Sequence, residues 1–367
     1  MLTEKTPCAS RTQMPSDPRE NEPKSPDRAI VKAALQEKLK GLTTARGELT
    51  FPCIPALLED YIQKIQDLLS SLGQTLTFQE IETLREAIAS QLAQGFHASP
   101  NAHLIVSYQP PHPTVGLSQG VKLDVKVKVE SLENHYHGWI QTREGPLFGS
   151  HADAKAIAIA SELGDPADVS ILDVGAGVGR NTLALARLGY PVDAIELTPG
   201  FARKLTIAAE AEEIPVRVIQ GNVLDPMLRM ETAHYQFAVV AEVVSHFRDM
   251  SQVRLLLAKI GDALQSGGLL LFSTFLAKDG YEPDDAAREL SQTAWSYIIT
   301  RSELRSAMKG LPLEILSDES VFEYEQQHLP NEAWPPTPWF PNWTRGRDVF
   351  PTEASPMELR WILCKRR

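Results

Sequence analysis

The sequence predicts an α/β fold, a doubly wound and mostly parallel sheet, with a small α+β domain before it. Three observations carry this: a strand–turn–helix–strand signature at residues 169–197, alternating strand and helix patterns after it, and a separate amphipathic cluster at residues 46–135. In the signature, Ile171, Leu172 and Val174 form the short apolar run of a strand buried on both faces. Gly175, Gly177 and Gly179 follow at alternate positions, which lets the backbone turn sharply and approach a ligand closely. From Arg180 the period is helical, through Leu183, Leu185, Ala186 and Leu188, and Gly189 ends it. Val192, Ala194, Ile195 and Leu197 read as the next strand, with Glu196 near its end, 21 positions after Gly175.

Ligands of an open α/β sheet sit beyond the carboxyl ends of its strands, so the glycine turn and Glu196 are expected side by side. A carboxylate there accepts both hydroxyls of a ribose, and the unit reads as nucleoside-binding. The dinucleotide fingerprint G-x-G-x-x-G needs a third glycine where this chain has Arg180. The pattern present, Asp173-x-Gly175-x-Gly177-x-Gly179 with a downstream acid, resembles instead the class I S-adenosyl-L-methionine (SAM) methyltransferases, which are Rossmann-like. The run GAGVGRNTLALARLGYPVDAIEL is similar to the TehB-type tellurite-resistance methyltransferases, matching at Arg180, Asn181, Leu185, Ala186, Gly189, Tyr190, Val192, Ala194 and Glu196. Members usually carry Asp where Glu196 stands. The resemblance covers about residues 150–367, including a late helix and strand (299–310, 313–327) and a final strand (358–364). Residues 278–296 and 332–354 are longer than that compact family needs.

The resemblance implies SAM as cofactor. Asp173 would hold its amino group, Gly175, Gly177 and Gly179 admit its methionine part, and Glu196 bind the ribose. Asn222 and Val223 would face the adenine, while Ala241 and Glu242 close the methionine end. His246, just beyond the fourth strand, is a candidate general base, or a helix-start residue bonded to backbone. Arg180 is a candidate for attracting an oxyanion such as tellurite, or an ion-pair partner of a nearby acid. Phe148, Gly149 and His151 would lie close to the pocket.

Residues 1 to about 28 are rich in Pro, Ser and charged side chains, which predicts disorder, and the tail is drawn to residue 45. Residues 46–135 carry a helical stripe at 55–72, a second helix from Thr77 to about Gly95 opened by the Thr77/Glu80 capping-box pattern, and strands at 102–108 and 121–129. His135 and His137 alternate as metal ligands do, but no further ligand follows at metal-site spacing, so a polar joint is expected and no metal. The second domain, 146–367, continues with a helix at 201–212, strands at 216–220 and 237–241, a helix at 250–264 stopped by Ser266, Gly267 and Gly268, and a strand at 269–275. Residues 333–344, AWPPTPWFPNWT, read as an aromatic wall for a larger substrate or as a loop packed over the core.

A formal net charge of −11 disfavours nucleic acid and anionic membranes as partners. Cys8, Cys53 and Cys364 are scattered, the N-terminus lacks a signal-peptide core, and no apolar run spans a bilayer, so a cytoplasmic protein is expected. The leading function is methyl transfer from SAM to a small-molecule acceptor, with tellurite- or selenite-like chemistry as the family precedent. Two alternatives stand beside it: an NAD(P)-dependent oxidoreductase sharing the glycine turn, and a non-catalytic protein that binds SAM or a partner. No pattern specifies an oligomeric state.

Overall fold

The computed structural model describes residues 28–40, 46–109, 121–129, 138 and 148–367. Helix α1 (Arg28–Lys40) occupies part of the expected tail, which corrects that expectation for these 13 residues. Its sequence RAIVKAALQEKLK is made mostly of strong helix formers, and residues 28–35 are exposed, so propensity alone accounts for the helix. The rest of the tail, the histidines at 135–137 and Cys8 lie outside the described residues.

The small domain is β1 (Gly47–Pro52), α2 (Leu58–Ser71), α3 (Phe78–Ala98), β2 (His103–Gln109) and β3 (Lys122–Lys128). Its strands form an antiparallel sheet in the order β1-β2-β3. Tyr61, Ile62, Ile65 and Leu69 of α2 and Leu84, Ile88 and Leu92 of α3 bury their stripes against Phe51, Leu104 and Val106. The capping box forms: Thr77 N–H donates to Glu80 Oε2 at 2.8 Å, and Glu80 N–H donates to Thr77 Oγ1 at 3.3 Å. Strand β1 was not expected, because GELTFP begins with Gly and ends with Pro and is tolerated as a strand only at a sheet edge.

The large domain runs α4 (Ala154–Ser161), β4 (Ile171–Val174), α5 (Arg180–Arg187), β5 (Val192–Glu196), α6 (Pro199–Ala211), β6 (Val216–Gln220), β7 (Tyr235–Val240), α7 (Met250–Ala263), β8 (Leu264–Ala277), α8 (Asp285–Thr293), β9 (Ile298–Ile299), α9 (Arg301–Met308), β10 (Leu313–Ser320), α10 (Val321–His328), α11 (Phe340–Trp343) and β11 (Met357–Arg366). The sheet order is β6-β5-β4-β7-β8-β11-β10, with β9 beside β8. β4 to β8 are parallel, and β11 runs antiparallel to β8 and β10. Alternate strand residues feed two cores. Leu172, Ala238 and Val240 meet Val253, Leu256 and Ile260 of α7 on one face. Ile171, Phe237 and Val239 share the other with Leu185, Phe340, Trp343 and Trp361. Chain order reverses around β4, which lies between β5 and β7, and that is where such a sheet opens a cleft.

Two elements differ from expectation. Helix α7 passes into β8 without a loop, so Ser266, Gly267 and Gly268 lie inside the strand. A Cβ on Gly268 would lie 3.0 Å from the Tyr235 carbonyl oxygen, where the β7–β8 register shifts; the glycines serve an irregular strand crossing and not a stop. Residues 333–344 are a packed loop. Phe340 and Trp343 are buried, Trp343 stands edge-on to Phe275 at 5.1 Å, and its Nε1 donates to the Ala294 carbonyl.

Candidate active site

A cleft of about 310 Å³ opens at the carboxyl ends of β4, β5 and β7. Asp173, Gly175 and Gly177 line it from the first strand and its turn, Glu196 from β5, Asn222 and Val223 from the turn after β6, and Ala241, Glu242 and His246 from the segment after β7. Arg180 lines it from the first turn of α5. Gly179 is not among the lining residues. Its φ is +97°, and a Cβ there would fall 2.5 Å from Leu205 Cδ1 and 2.8 Å from Leu183 Cγ, so it lets α5 pack against α6. Gly175 is held by a similar demand, since a Cβ would sit 2.3 Å from Val243 Cγ2.

The hydrogen bonds of the turn decide what it can hold. The N–H groups of Gly175 and Ala176 donate to the Ile195 carbonyl at 2.8 and 3.1 Å, and that of Gly179 to the Ala176 carbonyl at 2.9 Å. Gly177 N–H donates to Glu196 Oε2 at 2.8 Å, while Thr198 N–H donates to Glu196 Oε1 at 2.7 Å. Four donors that could have cradled a phosphate are therefore spent, one of them on a carboxylate. Glu196 is only 6% exposed, and burial raises its pKa against the opposing pull of these backbone bonds. The carboxylate lines the cleft, and it is an acceptor of the kind a ribose hydroxyl needs.

Asp173 is buried and accepts from Thr182 Oγ1 at 2.5 Å; burial lifts its pKa to about 6. Arg180 spans two carboxylates, with Nη1 2.5 Å from Asp153 Oδ1 and Nη2 2.9 Å from Glu242 Oε1. Asn181 closes the group, donating from Nδ2 to Asp153 Oδ2 and accepting from the Asp153 N–H. Burial works against the guanidinium charge, but the two acids outweigh it. Arg180 is thus neutralised, and the ion-pair alternative, not oxyanion capture, describes it. Glu242 sits at φ +60°, a strained setting for a non-glycine residue, and its N–H donates to Ser273 Oγ at 2.7 Å.

Asn222 Oδ1 accepts from the Leu224 N–H at 2.9 Å, which fixes the turn that presents Val223 to the cleft. His246 ends a short 3-10 turn (Val244–His246), its ring 5.7 Å from that of Trp295. Phe148 lines the cleft and stands edge-on to Phe201 at 5.6 Å, whereas Gly149 and His151 are not among the lining residues. Phe201, Phe247, Arg248 and Gln252 also line the cleft and had no motif to mark them.

The cleft fits SAM. Its carboxylates Asp173, Glu196 and Glu242 suit a cationic, hydroxyl-bearing nucleoside, and four N–H groups of its turn are already spent within the protein. Residues 148–318 match the family model described as "Methyltransferase domain". A conjectured methyltransferase of Geobacillus sp. (strain WCH70) is 28% identical over 102 residues, 28% of this chain and 40% of that protein. The carboxy-S-adenosyl-L-methionine synthase of Colwellia psychrerythraea (strain 34H / ATCC BAA-681) is 29% identical over 158 residues, 40% of this chain and 60% of that one. The chain thus spans about half the length of these two relatives. The geranyl diphosphate C-methyltransferase of Streptomyces coelicolor A3(2) is similar in structure, with a TM-score of 0.44 and 18% identity over 58% of this chain and 80% of that one. Residues 148–318 thus match a methyltransferase domain, their sheet is of the doubly wound, Rossmann-like kind, and SAM is the cofactor that the match and the cleft support.

Proposed function

We propose that the chain is a SAM-dependent methyltransferase acting on a small organic acceptor in a reducing, cytoplasmic compartment. The observation that carries this is the Glu196 carboxylate lying against Gly177 N–H in the turn, where a dinucleotide enzyme would present free donors to a pyrophosphate. Two described cysteines, Cys53 and Cys364, are free and buried, which agrees with the compartment. Among the described residues, no helix is long and apolar enough to cross a membrane.

Bound SAM supplies an electrophilic methyl group on a sulfonium sulfur. The chain's own work is to bind, orient and exclude water. Asp173 receives the cofactor's ammonium, Glu196 its ribose hydroxyls, and Asn222 and Val223 its adenine. Glu242, fixed by Arg180 and Ser273, closes the methionine end. His246 takes the proton of an oxygen or nitrogen acceptor; a thiolate or reduced chalcogen needs no base. The finer tellurite-like reading rests on the sequence resemblance alone, and Arg180 adds nothing to it because its charge is already matched.

Calorimetric titration with S-adenosylhomocysteine (SAH), NAD and NADP tests the cofactor. SAH should bind and raise the melting temperature, and the nicotinamides should do neither. Binding of NAD without SAH overturns the proposal. If Asp173 must be ionised to hold the ammonium, SAH affinity should rise about tenfold between pH 5 and pH 7, because its pKa near 6 leaves most molecules protonated at the lower pH. A flat profile removes Asp173 from the contact. Transfer of labelled methyl from SAM to any member of a panel of thiols, phenols and amines separates an enzyme from a protein that merely binds SAM.

A further inference from the structure

The small domain meets the large one beside Arg248, a residue of the cleft wall. Ala56 N–H donates to Glu289 Oε2 at 2.7 Å, Trp295 Nε1 donates to Asn101 Oδ1 at 3.2 Å, and Arg248 donates from Nη2 to the Phe96 carbonyl. The Arg248 guanidinium also lies over the Phe96 ring, 4.6 Å from its centroid. Arg248 lines the cleft two residues beyond His246. Its main chain is pinned on both sides: its N–H donates to Gln252 Oε1 at 2.8 Å, and its carbonyl accepts from Gln292 Nε2 at 3.4 Å.

What distinguishes Arg248 is what it lacks. Among the described residues no carboxylate pairs with it, and its Nη1 is buried with no hydrogen-bond partner. Two more buried polar atoms at the same junction have none either, Asn101 Nδ2 and Gln292 Oε1, on side chains only 9% and 8% exposed. Arg180, the other arginine of the cleft, is matched by two acids. A guanidinium is rarely left unpaired out of water, and its fork suits a planar or tetrahedral oxyanion. In a chain of net charge −11, whose cleft is lined by Asp173, Glu196 and Glu242, an acidic acceptor needs a dedicated cation to enter.

We infer that Arg248 anchors an oxyanion carried by the methyl acceptor, a carboxylate or a phosphoryl group, where the N-terminal domain meets the cleft. The substrate class is then an organic acid whose reacting atom reaches His246 while its charged group rests on Arg248. The small domain has a role in this: the Phe96 carbonyl and ring hold the guanidinium in place. The inference rests on the methyltransferase reading and assigns the acceptor end of the same cleft.

The test uses the full chain saturated with SAH, titrated with benzoate, phenyl phosphate and the neutral isostere benzamide. At least one acid should bind about 10-fold tighter or more than benzamide, the range of a charge-assisted hydrogen bond. Whichever acid wins tells carboxylate from phosphoryl. Arg248→Met should bring the acids down to the benzamide level with SAH affinity within about twofold of wild type, and Arg248→Lys should keep part of the preference because its charge remains without the fork. The inference is overturned if no acid beats benzamide, if the preference survives Arg248→Met, or if SAH affinity falls in parallel, which would make the guanidinium a cofactor ligand. A wild-type chain that ignores SAH but still prefers acids through Arg248 would sink the cofactor reading and keep the oxyanion site.

Discussion

Glu196→Ala is expected to weaken SAH binding by more than about 100-fold and to lower stability by about 2–4 kcal/mol. The position of Glu196 near the end of a strand predicts only the first half of this result. In the structure the carboxylate is 6% exposed and accepts from both Gly177 and Thr198 N–H groups. Alanine removes the ribose acceptors and leaves two inward donors without a partner, each costing about 1–3 kcal/mol. It also frees the glycine turn from β5, so the loss in affinity exceeds that of the ribose contact alone. Glu196→Asp keeps both acceptors on a shorter arm and should recover part of each effect. Chemical denaturation with SAH titration on the three proteins checks this; full affinity in Glu196→Ala would place the ribose elsewhere.

What the sequence makes legible here is what is local. Strand β4, its turn, α5 and β5 occupy consecutive residues, and every residue's preference agrees with its neighbours, so a nucleoside cleft can be inferred from fewer than 30 positions. The Arg180 group is the opposite case. Asp153 and Glu242 lie 27 and 62 positions from Arg180, and no periodicity links them. Gly267 and Gly268 mislead because glycine marks a helix stop and a strand irregularity with the same letter. Gly179 meets a further demand that its spacing does not reveal, close packing against Leu183 and Leu205. Arg248 carries no motif at all, and only the burial of its Nη1 beside Phe96 draws attention to it.

Arg180→Met is expected to cost about 3–5 kcal/mol, the scale for breaking a buried ion pair by removing one partner. The Arg180 side chain is 9% exposed, Asp153 3% and Glu242 19%, so the two acids would be left facing each other with little water. Glu242 also sits at φ +60° beside the cofactor cleft, so its release should carry the methionine end of the site with it and abolish SAH binding. Lysine is a poor substitute, since a single ammonium cannot reproduce the fork that reaches both acids. Burial already raises the Glu242 pKa, and losing Arg180 raises it further. A folded-state pKa above the unfolded value means that the folded protein holds the proton to higher pH than the unfolded chain does, so protonation favours folding. The deficit of Arg180→Met should therefore shrink as pH falls from 8 toward 5. Adding Asp153→Asn and Glu242→Gln to Arg180→Met should recover much of the stability, because the neutral trio strands no charge. Urea denaturation of the single and triple variants at pH 8 and pH 5 measures all of this. An Arg180→Met protein as stable as wild type, with SAH affinity intact and acceptor binding lost, would return Arg180 to the role of a substrate anchor.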